Sequence, residues 1–159
     1  MKMKAAVLLG ERKFDYRDVN VPEVGPRDVL VRVKAVGVCG TDMELYRGTM
    51  PFLKTGLAKY PMILGHEWSG VVEKVGSEVK SFRPGDKVTG DVSIGCGGCQ
   101  NCKRGLYNVC ANRREVGISG GKEGAYAQFV LMPEPFVYKV PDRVSFDAAA
   151  LTESSATMV

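Results

Sequence analysis

Five cysteines and a single histidine carry most of the chemistry available to this 159-residue chain. Four of the cysteines fall in one run, Cys96-Gly97-Gly98-Cys99-Gln100-Asn101-Cys102 and then Cys110, a C-x2-C-x2-C-x7-C spacing. Thiolates are soft ligands, and four that converge at about 2.3 Å from one ion make a closed tetrahedral zinc site. Gly97, Gly98 and Gly105 let the backbone fold tightly enough to bring four sulfurs to one point. The segment is polar, with few large apolar residues, and needs a staple to hold its shape. Iron–sulfur ligation is the sharper rival, because C-x2-C-x2-C opens the bacterial ferredoxin run. That run continues x3-C-P, whereas here seven residues intervene and Ala111 follows the fourth cysteine. A zinc-ribbon nucleic-acid module would separate two C-x2-C knuckles by about 15–20 residues, and no basic-aromatic stripe accompanies the run. A closed four-thiolate site is structural and performs no reaction.

The fifth cysteine, Cys39, precedes Gly40-Thr41-Asp42, and the histidine lies in Gly65-His66-Glu67. Taken singly, a cysteine at a strand end is most often a small core residue, and a lone histidine is more often structural than a ligand. With their neighbours they offer thiolate, imidazole and carboxylate, a set suited to an open zinc site with water in the remaining position. Asp42 and Glu67 can each supply a ligand or the acceptor that fixes the tautomer of a ligating imidazole. Thr41 offers a hydroxyl two residues from the thiolate, placed to pass a proton to or from the reacting oxygen. A cysteine–histidine nucleophilic pair is the alternative, and no local hydrolase signature supports it.

Short strands must position these groups. Asp28 to Cys39 is the clearest, with Val29, Val31, Val33 and Ala35 on one face and Arg32 and Lys34 on the other. Similar signals lie at Ala5–Leu9, Trp68–Val75, Lys87–Val92, Ala125–Met132 and Phe136–Val140, separated by Gly/Pro turns. Many short punctuated strands argue for a barrel or sandwich and against a βαβ sheet. Two helices are expected: Thr41–Arg47, capped by Thr41 or Asp42, and Ser145–Val159, with Ser145 as N-cap and Asp147 in its first turn. Trp68 and Phe52 fit equally a pocket wall or the core. Hydrophobic residues make up 45% and charged residues 25%, which excludes wholesale disorder. A net charge of +4 excludes a polybasic anchor or nucleic-acid tail. The opening apolar run Ala5–Leu9 is shorter than the roughly 7–15 residues of a secretory signal, and none reaches the roughly 20 of a membrane span. The expected compartment is therefore the cytoplasm, where clustered thiols are more often metal ligands than disulfides.

With these motifs in place, the chain resembles the zinc-containing medium-chain dehydrogenase/reductase family of alcohol, polyol and threonine dehydrogenases. The resemblance rests on Val36-Gly37-Val38-Cys39-Gly40-Thr41-Asp42 and on Gly65-His66-Glu67-x-x-Gly70-x5-Gly76-x2-Val79. Pro84-Gly85-Asp86-Lys87-Val88, the four-cysteine run and Gly124-Ala125-Tyr126-Ala127-Gln128-Phe129 follow in the family's order. It implies a mainly β fold: a GroES-like β-barrel catalytic domain over residues 1–144 with a zinc lobe at 95–112. Residues 145–159 would begin a helix leading to an absent Rossmann cofactor domain. It further implies that Cys39 and His66 bind a catalytic zinc, with Glu67 as a neighbouring ligand or exchange partner. Thr41 matches the proton-relay hydroxyl and Asp42 the partner of the zinc site. Glu153 falls where the family places its third protein ligand, a cysteine in simple alcohol dehydrogenases and often glutamate in polyol and threonine types. Cys96, Cys99, Cys102 and Cys110 would hold the second, structural zinc.

Two positions depart from the pattern. Glu44 stands where many members carry a histidine for proton release, and Ser154-Ser155 follow Glu153 where polyol-type members often have proline. The implied activity interconverts a small alcohol or polyol and its carbonyl with NAD or NADP, in a full-length homo-oligomer without nucleic-acid or membrane partners. The family's dinucleotide-binding spacing, G-x-G-x-x-G, does not occur. Its nearest match, Gly95 to Gln100, lacks the last glycine and belongs to the cysteine run. The expectation is thus the catalytic fragment of a chain roughly twice as long, inactive alone. An isolated zinc-stabilised barrel acting as a non-catalytic binding module is the alternative.

Overall fold

A computed structural model describes residues 1–156. Strand β1 (Lys2–Gly10) buries Met3, Ala5 and Val7 on one face, and Leu8 is buried as well on the other. The chain turns at Arg12 and returns as β2 (Lys13–Asn20), antiparallel from Lys2↔Asn20 to Gly10↔Lys13. There follow β3 (Asp28–Val36), α1 (Gly40–Arg47), α2 (Pro51–Thr55), β4 (Met62–Ile63), β5 (Trp68–Val75) and β6 (Lys87–Gly90). The rest comprises β7 (Ser93–Ile94), α3 (Gln100–Lys103), β8 (Arg114–Glu115), β9 (Phe129–Pro133), β10 (Val137–Lys139), α4 (Phe146–Ala150) and α5 (Thr152–Ala156).

These strands form a three-stranded sheet ordered β2-β1-β4, a five-stranded sheet ordered β10-β6-β5-β3-β9, and the small β7-β8 pair. Residues 125–128 close the two larger sheets onto each other. On one side Ala6 N–H donates to Tyr126 O at 2.8 Å and Gln128 N–H to Lys4 O at 3.0 Å; on the other, Val33 N–H donates to Gln128 O at 3.0 Å. The result is a barrel, one of the two architectures the strand pattern allows and the one the resemblance implies. Its main core joins Val29, Val31, Trp68, Val72, Val88, Val130 and Met132. A second cluster, Leu8, Leu45, Met62, Leu64 and Ile118, packs beneath α1. Trp68 is wholly buried in the first and Phe52 packs against the second, so both are core side chains.

The strand expected to reach Cys39 ends at Val36. Gly37 N–H instead donates to Glu67 O at 2.7 Å, and Cys39 becomes the N-cap of α1. Neither Thr41 nor Asp42 caps that helix; both lie inside its first turn, where the Asp42 carboxylate accepts from Cys39 N–H at 2.9 Å. Ser145 does cap a helix, accepting from Ala148 N–H at 3.1 Å, but the expected single helix breaks at Leu151 into α4 and α5. Its last three residues lie outside the described ones. The β signal at Ala125–Met132 becomes regular strand only from Phe129. Among the described residues no helix is long and apolar enough to cross a membrane.

Candidate metal centres

All four cysteines of the run converge. One ligand atom from each of Cys96, Cys99, Cys102 and Cys110 lies within 4.8 Å of the others. Cys99 begins α3 as its N-cap and accepts from Cys102 N–H at 3.4 Å; Cys96 N–H points at Cys110 Sγ at 3.5 Å. Sulfurs on the corners of a tetrahedron with bonds of about 2.3 Å stand about 3.8 Å apart. The Cys99–Cys110 and Cys96–Cys102 separations are 3.8 and 4.0 Å. The lobe is thus shaped for a four-thiolate ion and its sulfurs are too far apart for a disulfide. The N–H groups of Cys99 and Gly98 draw the Cys96 thiol down to about 6, whereas burial pushes the Cys102 thiol up to about 11, so without a cation the four sulfurs do not all ionise together. Gly95 keeps the lobe tight, since a Cβ there would come within 2.7 Å of Cys102 Sγ and of Tyr107 Cβ.

Three residues that sequence reasoning missed tie this lobe to the barrel. Tyr107 and Tyr138 each donate a hydroxyl to Asp91 Oδ2 at 2.7 Å, and the Tyr107 ring meets Phe136 edge-on at 5.2 Å. Nothing in the spacing of these residues marks the contact before the fold is known.

The second cluster assembles where the chain leaves β3 and enters β5. Ligand atoms of Cys39, His66 and Glu67 lie within 4.8 Å of one another, with His66 and Glu67 buried and Cys39 half-buried. Gly37 makes room for this: a Cβ there would stand 2.2 Å from Glu67 Oε2. Asp42, 3% exposed, lies behind the histidine. It accepts from Cys39 N–H, from Gly65 N–H at 3.3 Å and from the Tyr126 hydroxyl at 3.1 Å, while its Oδ1 faces His66 Nδ1 at 3.7 Å. That Nδ1 is buried without a hydrogen-bond partner among the described residues. Thr41 is half-buried on the first turn of α1, and Glu44 is exposed on the same helix.

Glu153, on α5, stands outside this group of three ligand atoms. It is near enough to be coupled to it: burial raises its carboxyl above the usual range, the His66 charge opposes that, and Glu67 and Asp91 add to it. The expected ligand set is therefore brought together at Cys39, His66 and Glu67, with Glu153 as a neighbour. A cleft of about 290 Å³ reaches Asp42 between Phe14, Val38, Met43, Tyr46, Leu64 and Tyr126. A cleft of about 480 Å³ between β1, β2 and residues 121–124 lies elsewhere, and its lining includes no residue of either cluster.

Gly65 shows how narrowly the site is set. Its φ is +94°, and a Cβ would stand 2.6 Å from Tyr126 Cδ1 and 3.0 Å from Val36 Cγ2. Replacing it with alanine adds a disfavoured backbone conformation to a clash with a ring held on both sides. We expect a loss of about 2–4 kcal/mol of stability, measured by thermal or urea unfolding; an unchanged midpoint would contradict the packing described.

Comparison with known proteins agrees with this layout. Residues 25–142 match the model of the alcohol dehydrogenase GroES-like domain. An L-threonine 3-dehydrogenase of Anaeromyxobacter sp. (strain K) is 42% identical over 134 residues, covering 84% of this chain and 38% of that protein. A sorbitol dehydrogenase of Bacillus subtilis (strain 168) is 37% identical over 151 residues, covering 95% of this chain and 42% of that protein. Among solved structures, a protein from Sinorhizobium meliloti 1021 bound to NADP, provisionally described as a zinc-binding dehydrogenase, superposes with a TM-score of 0.82 at 37% identity. That match covers 95% of this chain and 42% of the other. The chain thus spans about two-fifths of the length of the relatives it matches.

Proposed function

Because the chain belongs to the family of alcohol dehydrogenase GroES-like domains, we propose that it is the catalytic part of a zinc-dependent oxidoreductase. The reaction is interconversion of an alcohol or polyol and its carbonyl, with NAD or NADP as the hydride partner. The observation that carries this reading is the convergence of a thiol, an imidazole and a carboxylate within 4.8 Å, apart from a separate four-thiol lobe. A closed set of four sulfurs suits a structural ion; a three-ligand mixed set leaves a position open, as catalysis requires.

The donor set fits zinc. Cys39 and His66 would hold it, with Glu67 or Glu153 as the third ligand and the other carboxylate able to exchange with it; the proximity of Glu67 to the pair supports Glu67. When bound, zinc supplies Lewis acidity at the substrate oxygen. The protein's own residues do the remainder. Asp42 receives two backbone N–H groups and one hydroxyl, which hold its carboxylate facing His66 Nδ1. An imidazole with its Nδ1 proton turned to a carboxylate presents Nε2 as the ligating nitrogen. Thr41, on the helix turn that follows Cys39, is the hydroxyl that takes the substrate's proton. The lobe cysteines carry the second zinc and take no part in the reaction. Likeness to threonine- and sorbitol-type relatives supports a hydroxy amino acid or a polyol as the substrate.

Expressed in its full reading frame, the protein is expected to reduce NAD⁺ or NADP⁺ in the presence of a polyol or a hydroxy amino acid. Cys39→Ala should abolish turnover while leaving nicotinamide binding intact. Turnover that survives this substitution would contradict the assignment.

A further inference from the structure

The hydroxyl of Tyr126 has no role in the reading above beyond its contact with Asp42, yet its surroundings are unusually determined. Tyr126 N–H donates to Leu64 O at 2.9 Å and its carbonyl accepts from Ala6 N–H at 2.8 Å, so the backbone is pinned to both neighbouring segments. Its ring occupies the space that a side chain at Gly65 would need. Its hydroxyl then stands 3.1 Å from Asp42 Oδ2 and 3.2 Å from Gly37 O. Burial, then the Asp42 charge, pushes the phenol well above its ordinary value, so it remains a proton donor.

Asp42 Oδ2 is thereby occupied by two donors, Cys39 N–H and Tyr126 O–H, and Oδ1 by Gly65 N–H, on the side that faces His66. Among the described residues Asp42 is the carboxylate within 4 Å of the histidine ring. The two backbone donors take one oxygen each, Gly65 N–H at the long distance of 3.3 Å; the tyrosine adds a second donor on Oδ2 and the only side-chain hydroxyl on this carboxylate among the described residues.

We propose that Tyr126 is a positioning residue: its hydroxyl locks Asp42 toward His66 Nδ1 and so sets the imidazole with its proton on Nδ1 and its lone pair on Nε2. The ligating significance of that tautomer rests on the metal reading above, whereas the Tyr126–Asp42 hydrogen bond and the 3.7 Å approach of Asp42 to His66 Nδ1 do not. Tyr126→Phe removes one oxygen and keeps the ring over Gly65, which separates positioning from packing.

His66 is the only histidine of the chain, so a long-range proton–nitrogen NMR spectrum of the metal-free protein reads its tautomer without assignment. The wild type is expected to show the Nδ1-protonated form, and Tyr126→Phe a mixture, with the preference for that form reduced about tenfold. Asp42→Asn, which keeps Tyr126, should likewise lose the preference, and adding Tyr126→Phe to it should change nothing more. In the zinc-loaded chain, transfer of metal to a chelator should quicken about tenfold for one zinc in Tyr126→Phe and stay unchanged for the lobe's zinc. An unchanged tautomer ratio in Tyr126→Phe, or a wild type protonated on Nε2, overturns the proposal. A wild-type chain that takes up only one zinc, with the tautomer shift present, supports the positioning chain and overturns the metal reading instead.

Discussion

Replacing Cys110 with serine is expected to strip the lobe of its metal and open residues 95–112 to trypsin, while the barrel keeps its fold. Cys110 is fully buried and closes the lobe, with its sulfur 3.8 Å from Cys99 Sγ and Cys96 N–H aimed at it. Only a four-residue helix, one 3₁₀ turn at Tyr107–Val109 and a two-residue strand pair give the lobe regular structure. Leu106 and Val109 are exposed, so little apolar burial replaces the metal. Structural zinc in small zinc-finger peptides contributes about 10–16 kcal/mol at neutral pH, comparable to the entire stability of a typical domain. Lys103, Arg104, Arg113 and Arg114 are exposed within or beside the lobe, so tryptic cleavage reads its order directly. Cleavage there should quicken at least about tenfold in the variant and in chelator-treated wild type. Equal rates in wild type and variant would mean that the lobe does not depend on its thiols.

Trp68→Ala should cost about 3–5 kcal/mol and lower the melting temperature by roughly 10 °C. Trp68 opens β5 immediately after His66-Glu67, pairs with Val36, and is buried to 0% among Val29, Val88 and Phe136. Its ring fills the space a side chain at Gly90 would need: a Cβ there would stand 2.5 Å from Trp68 Cζ2. Alanine would leave a large cavity in a two-sheet core that cannot collapse far. Trp68→Phe should lose much less, because the buried indole Nε1 has no partner among the described residues and its removal relieves an unsatisfied donor. Calorimetry of the two variants separates these contributions; equal losses would argue that the indole N–H is satisfied.

Different parts of the molecule were legible in the sequence to different degrees. β5 stands at Trp68–Val75 as its alternation predicts, since one face of it meets the core. β2 is invisible by that criterion: Lys13 through Asp18 face water, and the strand exists through its backbone pairing with β1. The strand toward Cys39 reads too long because Val36, Gly37 and Val38 continue an apolar tendency, while the chain must bend there to bring Cys39 beside His66. The lobe was legible because its four ligands lie within fifteen residues and thiolate chemistry leaves few other uses for that spacing. The second centre joins positions 27 residues apart through a barrel, so ligand chemistry could suggest the pair but the motif resemblance was needed to give it a site. Spacing likewise could not say that Glu67 would lie within the cluster and Glu153 beside it. The Tyr126 hydroxyl and the Asp91 anchor depend on tertiary contacts alone.

The central claim is that one chain holds two metal centres of different character, and zinc content per chain tests it most directly. Measured by inductively coupled plasma mass spectrometry after dialysis against metal-free buffer, the wild type is expected to carry two zinc ions. His66→Ala should carry one, as should Cys110→Ser. One zinc in the wild type, or two retained in His66→Ala, would contradict the account.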